Sequence, residues 1–147
     1  MNNILITGGA GYIGSHTTEQ LVRLKKNVVI LDNLKTGYKS LINKKAKFIK
    51  GDVSNIKLVK RIIEKNNVTT IIHLAGFIDV IESETQKKKY YKNNVLGTLC
   101  LIKAIENSTV INFIFSSTAG VYGNIKKAAK ETMKTKPINY YALTKLK

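Results

Sequence analysis

A single cysteine, Cys100, rules out an internal disulfide and fits a reducing compartment. As a lone residue on a helix-patterned stretch it reads as a small buried side chain, not a nucleophile. The single proline, Pro137, with an apolar fraction of 44%, places the chain among globular proteins rather than disordered ones. No apolar run approaches the roughly 18–20 residues that span a bilayer. The N-terminus lacks a signal peptide's charged-then-apolar layout, because Gly8, Gly9 and Gly11 interrupt it at once. These absences predict a cytoplasmic protein with no membrane partner. Acidic residues are also scarce, 9 against 25 basic ones, for a formal charge of +16. That surplus raises a nucleic-acid reading, but only Arg23 and Arg61 are arginines, and groove readers lean on the arginine fork. The lysines are scattered (Lys25-Lys26, Lys44-Lys45, Lys87-Lys88-Lys89, Lys126-Lys127) and accompany heavy use of Asn and Ile, as a general coding bias would produce. They read as solvated faces, and no nucleic-acid partner is expected.

What is present is an alternation. Ile4–Thr7, Val28–Leu31, Ala46–Lys50, Thr70–Leu74 and Ile111–Phe115 are short β-branched or aromatic runs and read as strands buried on both faces. Tyr12–Lys25, Asn55–Glu64 and a long stretch from about Thr85 to Glu106 carry helical periodicity. This order predicts one α/β domain over residues 1–147, a doubly wound parallel sheet of five strands with right-handed crossovers. Residues 117–138 read as one long loop, a length that is usually functional.

The first strand runs into Thr7-Gly8-Gly9-Ala10-Gly11-Tyr12-Ile13-Gly14, which satisfies G-x-G-x-x-G and the wider G-x-x-G-x-x-G. Glycine keeps such a turn tight and lets a pyrophosphate reach the backbone, while the helix start supplies N–H donors and a positive dipole end. Asp32 ends the second strand 18 residues after Gly14, where a carboxylate accepts from adenosine ribose hydroxyls and repels a 2′-phosphate. NAD is therefore expected over NADP. Gly51-Asp52-Val53 follows the third strand, equally readable as an adenine rim or a plain turn.

Tyr141 and Lys145 stand one helical turn apart, and a cation beside a phenol lowers its pKa from roughly 10 toward neutrality. The chain holds a second match, Tyr122 to Lys126, but Gly123 and Asn124 follow Tyr122 and make a helix there doubtful. Ser116, Ser117 and Thr118, after the fifth strand, could bond a substrate oxygen or simply shape a turn.

Together these residues resemble the extended short-chain dehydrogenases/reductases, the NAD-dependent epimerase/dehydratase family. The matching stretches are TGGAGYIGSHT at 7–17, LDNL at 31–34, GDV at 51–53, IHLAG at 72–76, ESETQKKKYYKNNVLGTL at 82–99, FSSTAGVYG at 115–123 and YYALTKLK at 140–147. The resemblance implies a Rossmann-like fold with Gly8, Gly11, Tyr12, Ile13, Gly14, Asp32, Asn33, Asp52, Val53, Leu74, Ala75, Gly76, Asn93 and Lys145 around NAD. It implies Tyr141 as base, Lys145 as its partner, and Thr118 as the hydroxyl bonding the substrate beside Tyr141. The implied reaction interconverts UDP-glucose and UDP-galactose through a 4-keto sugar. A 4,6-dehydratase would need an acid and a base where Ala119-Gly120 stand; a non-catalytic NAD-binding remnant is the other alternative. The resemblance also implies a homodimer paired through the helices near 85–106 and from 141 onward.

Several positions depart from the family pattern. Lys26 or Asn27 takes the place of its helix-ending glycine, Tyr140 that of a proline, Ala142 that of a glycine, and Ile78 and Ile81 those of Lys and Gly. The family runs to roughly 300 residues or more. The nucleotide-sugar lobe is therefore expected to be absent, as in a truncated product, with little or no activity in these residues alone.

Overall fold

The computed structural model describes residues 3–126 and 128–147; Lys127, half of one predicted lysine pair, lies outside the described residues. The described chain forms two compact units. The larger comprises the stretch ending at Ala75 together with Gly97–Ser116, and the smaller comprises Gly76–Leu96 with Ser117–Lys147.

The larger unit is built on a parallel sheet: β1 (Asn3–Thr7), β2 (Asn27–Asp32), β3 (Lys47–Lys50), β4 (Val68–His73) and β5 (Asn112–Phe115), in the order β3-β2-β1-β4-β5. The expected five strands all form, each within two residues of its predicted bounds. Three helices belong to this unit: α1 (Tyr12–Arg23), α2 (Ile56–Lys65) and α5 (Gly97–Ile105). Period-two alternation sorts each central strand between two cores. Leu5, Val29, Leu31 and Ile71 pack with Val59, Ile62 and Ile63 of α2 and with Leu101 and Ala104 of α5. Ile4, Ile6, Val28 and Ile30 form the opposite core, with Leu21 and Val22 of α1 against it. Burial on both faces is the signature of such a sheet, and it holds for β1 and β2. It does not hold for the two edge strands, where Lys47 and Lys50 of β3 and Asn112 and Ile114 of β5 are exposed, so that expectation is corrected for both.

α1 ends in a Schellman turn, with Lys25 N–H donating to Val22 O and Lys26 N–H to Leu21 O, both at 3.0 Å. Lys25 carries φ 55°, a left-handed conformation that glycine adopts without strain. The glycine-like position is thus Lys25, one residue before the predicted Lys26 or Asn27.

The smaller unit contains α3 (Val80–Thr85), α4 (Lys87–Tyr90), a π-helical turn (Tyr91–Leu96), a 3₁₀ turn (Ala119–Tyr122) and α6 (Tyr140–Leu146). The expected single helix from Thr85 to Glu106 is therefore corrected. It is interrupted at Gln86 and widened at Tyr91–Leu96, because Asn94 there is turned inward to serve backbone groups of another segment. The predicted loop 117–138 is not featureless either: the 3₁₀ turn opens it, and Lys136 N–H donates to Val121 O at 2.8 Å.

Candidate active site

In the larger unit, the order β3-β2-β1-β4-β5 reverses direction between β1 and β4, the place where doubly wound sheets take their ligands. Thr7 leads into Gly8, at φ 75°, whose N–H donates to Leu31 O at 3.0 Å. A Cβ on Gly8 would stand 2.7 Å from Ala75 N, and one on Gly14 2.2 Å from Gly8 O. Both glycines are therefore required by the protein's own packing. Gly11 differs: its φ is −84°, and an added Cβ would meet only Gly8 O, at 3.4 Å. The space beside Gly11 is open, α1 starts there without a side-chain cap, and Tyr12 and Ile13 stand exposed in its first turn. Uncapped N–H groups beside an open glycine suit a pyrophosphate; these residues fit the expected dinucleotide.

Asp32 is buried at the end of β2. One carboxylate oxygen accepts from Ala10 N–H at 3.0 Å and the other from Leu34 N–H at 2.8 Å. A carboxylate has about four lone-pair sites, so two remain for ribose hydroxyls. Asn33 donates to Asp52 at 2.8 Å, joining two predicted cofactor residues. Burial raises the Asp52 pKa, but bonds from Ser54 and Asn33 and the charge of Lys35 together hold it below the usual value. Val53 is partly buried against the α2-side core, a packing role. Leu74 and Ala75 continue from β4, where Leu74 N–H still donates to Thr7 O. His73, unassigned from sequence, is buried with Nδ1 2.6 Å from Thr7 Oγ1 and Nε2 2.9 Å from Thr98 Oγ1.

The smaller unit holds Gly76, Asn93, Thr118, Tyr141 and Lys145. Asn139 Oδ1 caps α6 by accepting from Ala142 N–H at 2.7 Å, which places Tyr141 in its first turn and Lys145 one turn on. Tyr122 ends the 3₁₀ turn and Gly123 follows at φ 76°, so Tyr122 and Lys126 share no helix. Thr118 Oγ1 accepts from Gly120 N–H at 3.2 Å, leaving its hydroxyl hydrogen to donate elsewhere. Gly120 lies against α6, where an added Cβ would come 3.2 Å from Ala142 Cβ. An alanine at 142 is accommodated because residue 120 has no side chain.

Sequence reasoning missed Asn94. Its Oδ1 accepts from Phe77 N–H and from Asn93, and its Nδ2 donates to Phe77 O and to Thr144 Oγ1, the residue before Lys145. A Cβ on Gly76 would be 3.4 Å from both Asn94 Oδ1 and Lys145 Nζ. The doublet Asn93-Asn94 inside a helical pattern was the available signal, since asparagine is a poor helix former.

The electrostatics correct one expectation. Burial pushes the Tyr141 phenol above its ordinary value and the Lys145 ammonium below its own. Against the lowering expected from Lys145, desolvation of the phenolate sets the direction at Tyr141 in the protein alone.

A doubly wound sheet with an open glycine turn at its switch point defines the class of dinucleotide-binding folds. The chain belongs within it to the NAD dependent epimerase/dehydratase family, whose model matches residues 4–147. It is 45% identical over 130 residues to a UDP-glucose 4-epimerase of Haemophilus influenzae, covering 84% of this chain and 38% of that protein. A UDP-glucose 4-epimerase from Brucella ovis solved with NAD superposes at TM-score 0.94 with 38% identity, over 99% of this chain and 45% of its own. The Thermotoga maritima enzyme solved with UDP-glucose gives 0.92 and 35%, over 98% and 48%. The chain thus spans less than half the length of each of these three. Among the described residues, no helix is long and apolar enough to cross a membrane.

Proposed function

We propose that residues 1–147 form the NAD-binding domain of a UDP-glucose 4-epimerase. The observation that carries this reading is the pairing of Tyr141 and Lys145 on α6 in a chain whose β1 turn has the open Gly11 and the buried Asp32. Gly8, Gly11 and Gly14 with Tyr12 and Ile13 receive the pyrophosphate. Asp32 and Asn33 hold the adenosine ribose, Asp52 and Val53 border the adenine, and Leu74, Ala75, Gly76 and Asn93 line the rest. Held by these residues, NAD would supply the hydride-accepting and hydride-returning chemistry at the sugar C4.

The chain's residues handle the proton and the orientation. Tyr141 accepts the proton of the 4-hydroxyl and returns it to the 4-keto oxygen. A buried phenol does this poorly by itself, so Lys145 stabilises the phenolate and would also hold the nicotinamide ribose. Thr118 donates its hydroxyl hydrogen to the same sugar oxygen. Ala119-Gly120 offer no acid or base for elimination, which favours epimerisation over 4,6-dehydration. The complete form works in the cytoplasm on UDP-sugars, and its homodimer is supported by Leu99 and Ile102, exposed on α5.

The test is conversion of UDP-galactose by a chain extended to its relatives' length. Tyr141→Phe is expected to cut turnover by about 10²–10⁴-fold with NAD retained, and Tyr122→Phe to leave far more activity. Greater damage from Tyr122→Phe would overturn the assignment.

A further inference from the structure

Two of the N–H groups that open α6 are satisfied from α3, almost sixty residues earlier in the chain. Tyr141 N–H donates to Ser83 Oγ at 3.0 Å, and Tyr140 N–H donates to Glu84 Oε1 at 2.6 Å. Ser83 is fully buried and donates in turn to Val80 O at 2.6 Å, which fixes its hydroxyl as the acceptor for Tyr141. With Asn139 bonding Ala142 N–H, three consecutive orphan donors are taken by three side chains. These bonds anchor the N-terminal turn of α6 (Tyr140–Leu146).

We infer that Glu84 is a positioning residue for Tyr141: its carboxylate caps α6 through the Tyr140 N–H and holds the first turn of that helix against α3. The inference rests on the reading of Tyr141 as the proton acceptor. Three features favour Glu84 over an incidental contact. The bond is short and charge-assisted. It places negative charge at the positive end of the helix dipole, in a first turn with no acid of its own. The other carboxylate oxygen faces Lys87 Nζ at 4.0 Å, and that ammonium lies 5.6 Å from the Tyr140 ring centre, so residue 140 is held by backbone and by ring. The arrangement depends on residue 140 having an N–H, which a proline there would lack.

The 147-residue chain serves for the test, with Glu84→Ala, Glu84→Gln, Tyr140→Pro and the Glu84→Ala/Tyr140→Pro double variant. Amide exchange of Leu143–Lys147 reports helix opening. Tyrosinate absorbance, taken as the difference from Tyr141→Phe, reports the phenol. Glu84→Ala is expected to speed exchange about fivefold, as loss of one cap would. It should also lower the Tyr141 midpoint toward an ordinary tyrosine's as burial is lost. Glu84→Gln, which keeps an acceptor, should retain most of the protection. In the Tyr140→Pro background, Glu84→Ala should add nothing. Unchanged exchange and titration in Glu84→Ala would overturn the inference, as would equal loss in Glu84→Gln, or an undiminished effect in the Tyr140→Pro background. Glu84 is exposed, so its two single variants decide the matter even if Tyr140→Pro fails to fold. No readout uses turnover, so a wrong catalytic assignment and a wrong cap give different results.

Discussion

Asn94 holds both backbone groups of Phe77, accepting from its N–H and donating to its carbonyl, each at 2.9 Å. One side-chain amide thereby replaces the two partners that a strand or helix would have given that residue. The same amide reaches Thr144, so the Gly76-Phe77 segment, the π turn and α6 are tied at one point.

Asn94→Ala should therefore leave the Phe77 N–H and carbonyl without partners and destabilise the chain by ~2–4 kcal/mol, at 1–3 kcal/mol per orphaned group with partial relief from water. Urea unfolding measures this. Asn94→Asp keeps an acceptor for the N–H but sets a carboxylate oxygen against the Phe77 carbonyl, and should cost at least as much. A loss under about 0.5 kcal/mol in both, as for a neutral surface change, would remove Asn94 from this role.

Asp32 supplies the next prediction. The folded chain should bind NAD in preference to NADP, since a 2′-phosphate would meet a buried carboxylate. Asp32→Ala should narrow the gap, and should also weaken NAD by freeing the Ala10 and Leu34 N–H groups. Calorimetric titration of both dinucleotides settles it; tighter NADP binding by the unaltered chain would remove Asp32 from its assignment.

These two residues show how far the sequence could be read. The place of Asp32 was legible because its signals are local: a strand ends, a glycine turn precedes it, and spacing says the rest. The strands were legible because β-branched runs between helical patterns admit few alternatives. Asn94, Ser83 and Glu84 were not legible, because each acts on a backbone group 17 to 58 positions away and leaves no periodic trace. The stretch from Thr85 to Glu106 contains no proline and reaches its first glycine only at Gly97, so local propensity favoured one helix. Tertiary hydrogen bonds overrode it. At Tyr141, too, spacing gives a cation's neighbourhood but not the depth of burial opposing it.

Lys25 occupies the left-handed position of the α1 Schellman turn at φ 55°. Lys25→Gly should relieve that strain and raise stability by about 1 kcal/mol, reduced somewhat by glycine's greater freedom when unfolded. Thermal unfolding at fixed ionic strength is the measurement, and a fall in Tm would contradict the strain argument. Lys26→Gly, one residue on, should not help.

The outer edge of β5 supplies the last prediction. Ile111 is 80% exposed and Ile114 54%, beside backbone groups that no strand among the described residues pairs on that side. Prepared alone, the chain should self-associate, because such an edge recruits other strands. Its charge of +16 opposes this at low salt, and screening removes the opposition. Light scattering should therefore rise with sodium chloride, and Ile114→Lys should suppress the rise. A preparation that stays monodisperse at high salt would show the edge to be harmless.

Of the four glycines in the β1 turn, Gly8, Gly11 and Gly14 belong to one motif but answer to different masters. Gly8 and Gly14 are joints, since any side chain there would strike Ala75 or Gly8 itself. Gly11 is the proposed berth, and the polypeptide closes without needing it bare. A mutational scan scored on folding yield alone would return Gly14 as forbidden and Gly11 as nearly free. The same scan scored on cofactor retention would rank them together. A gap between the two maps at residue 11 would mark where the chain's sequence is written for a guest rather than for itself.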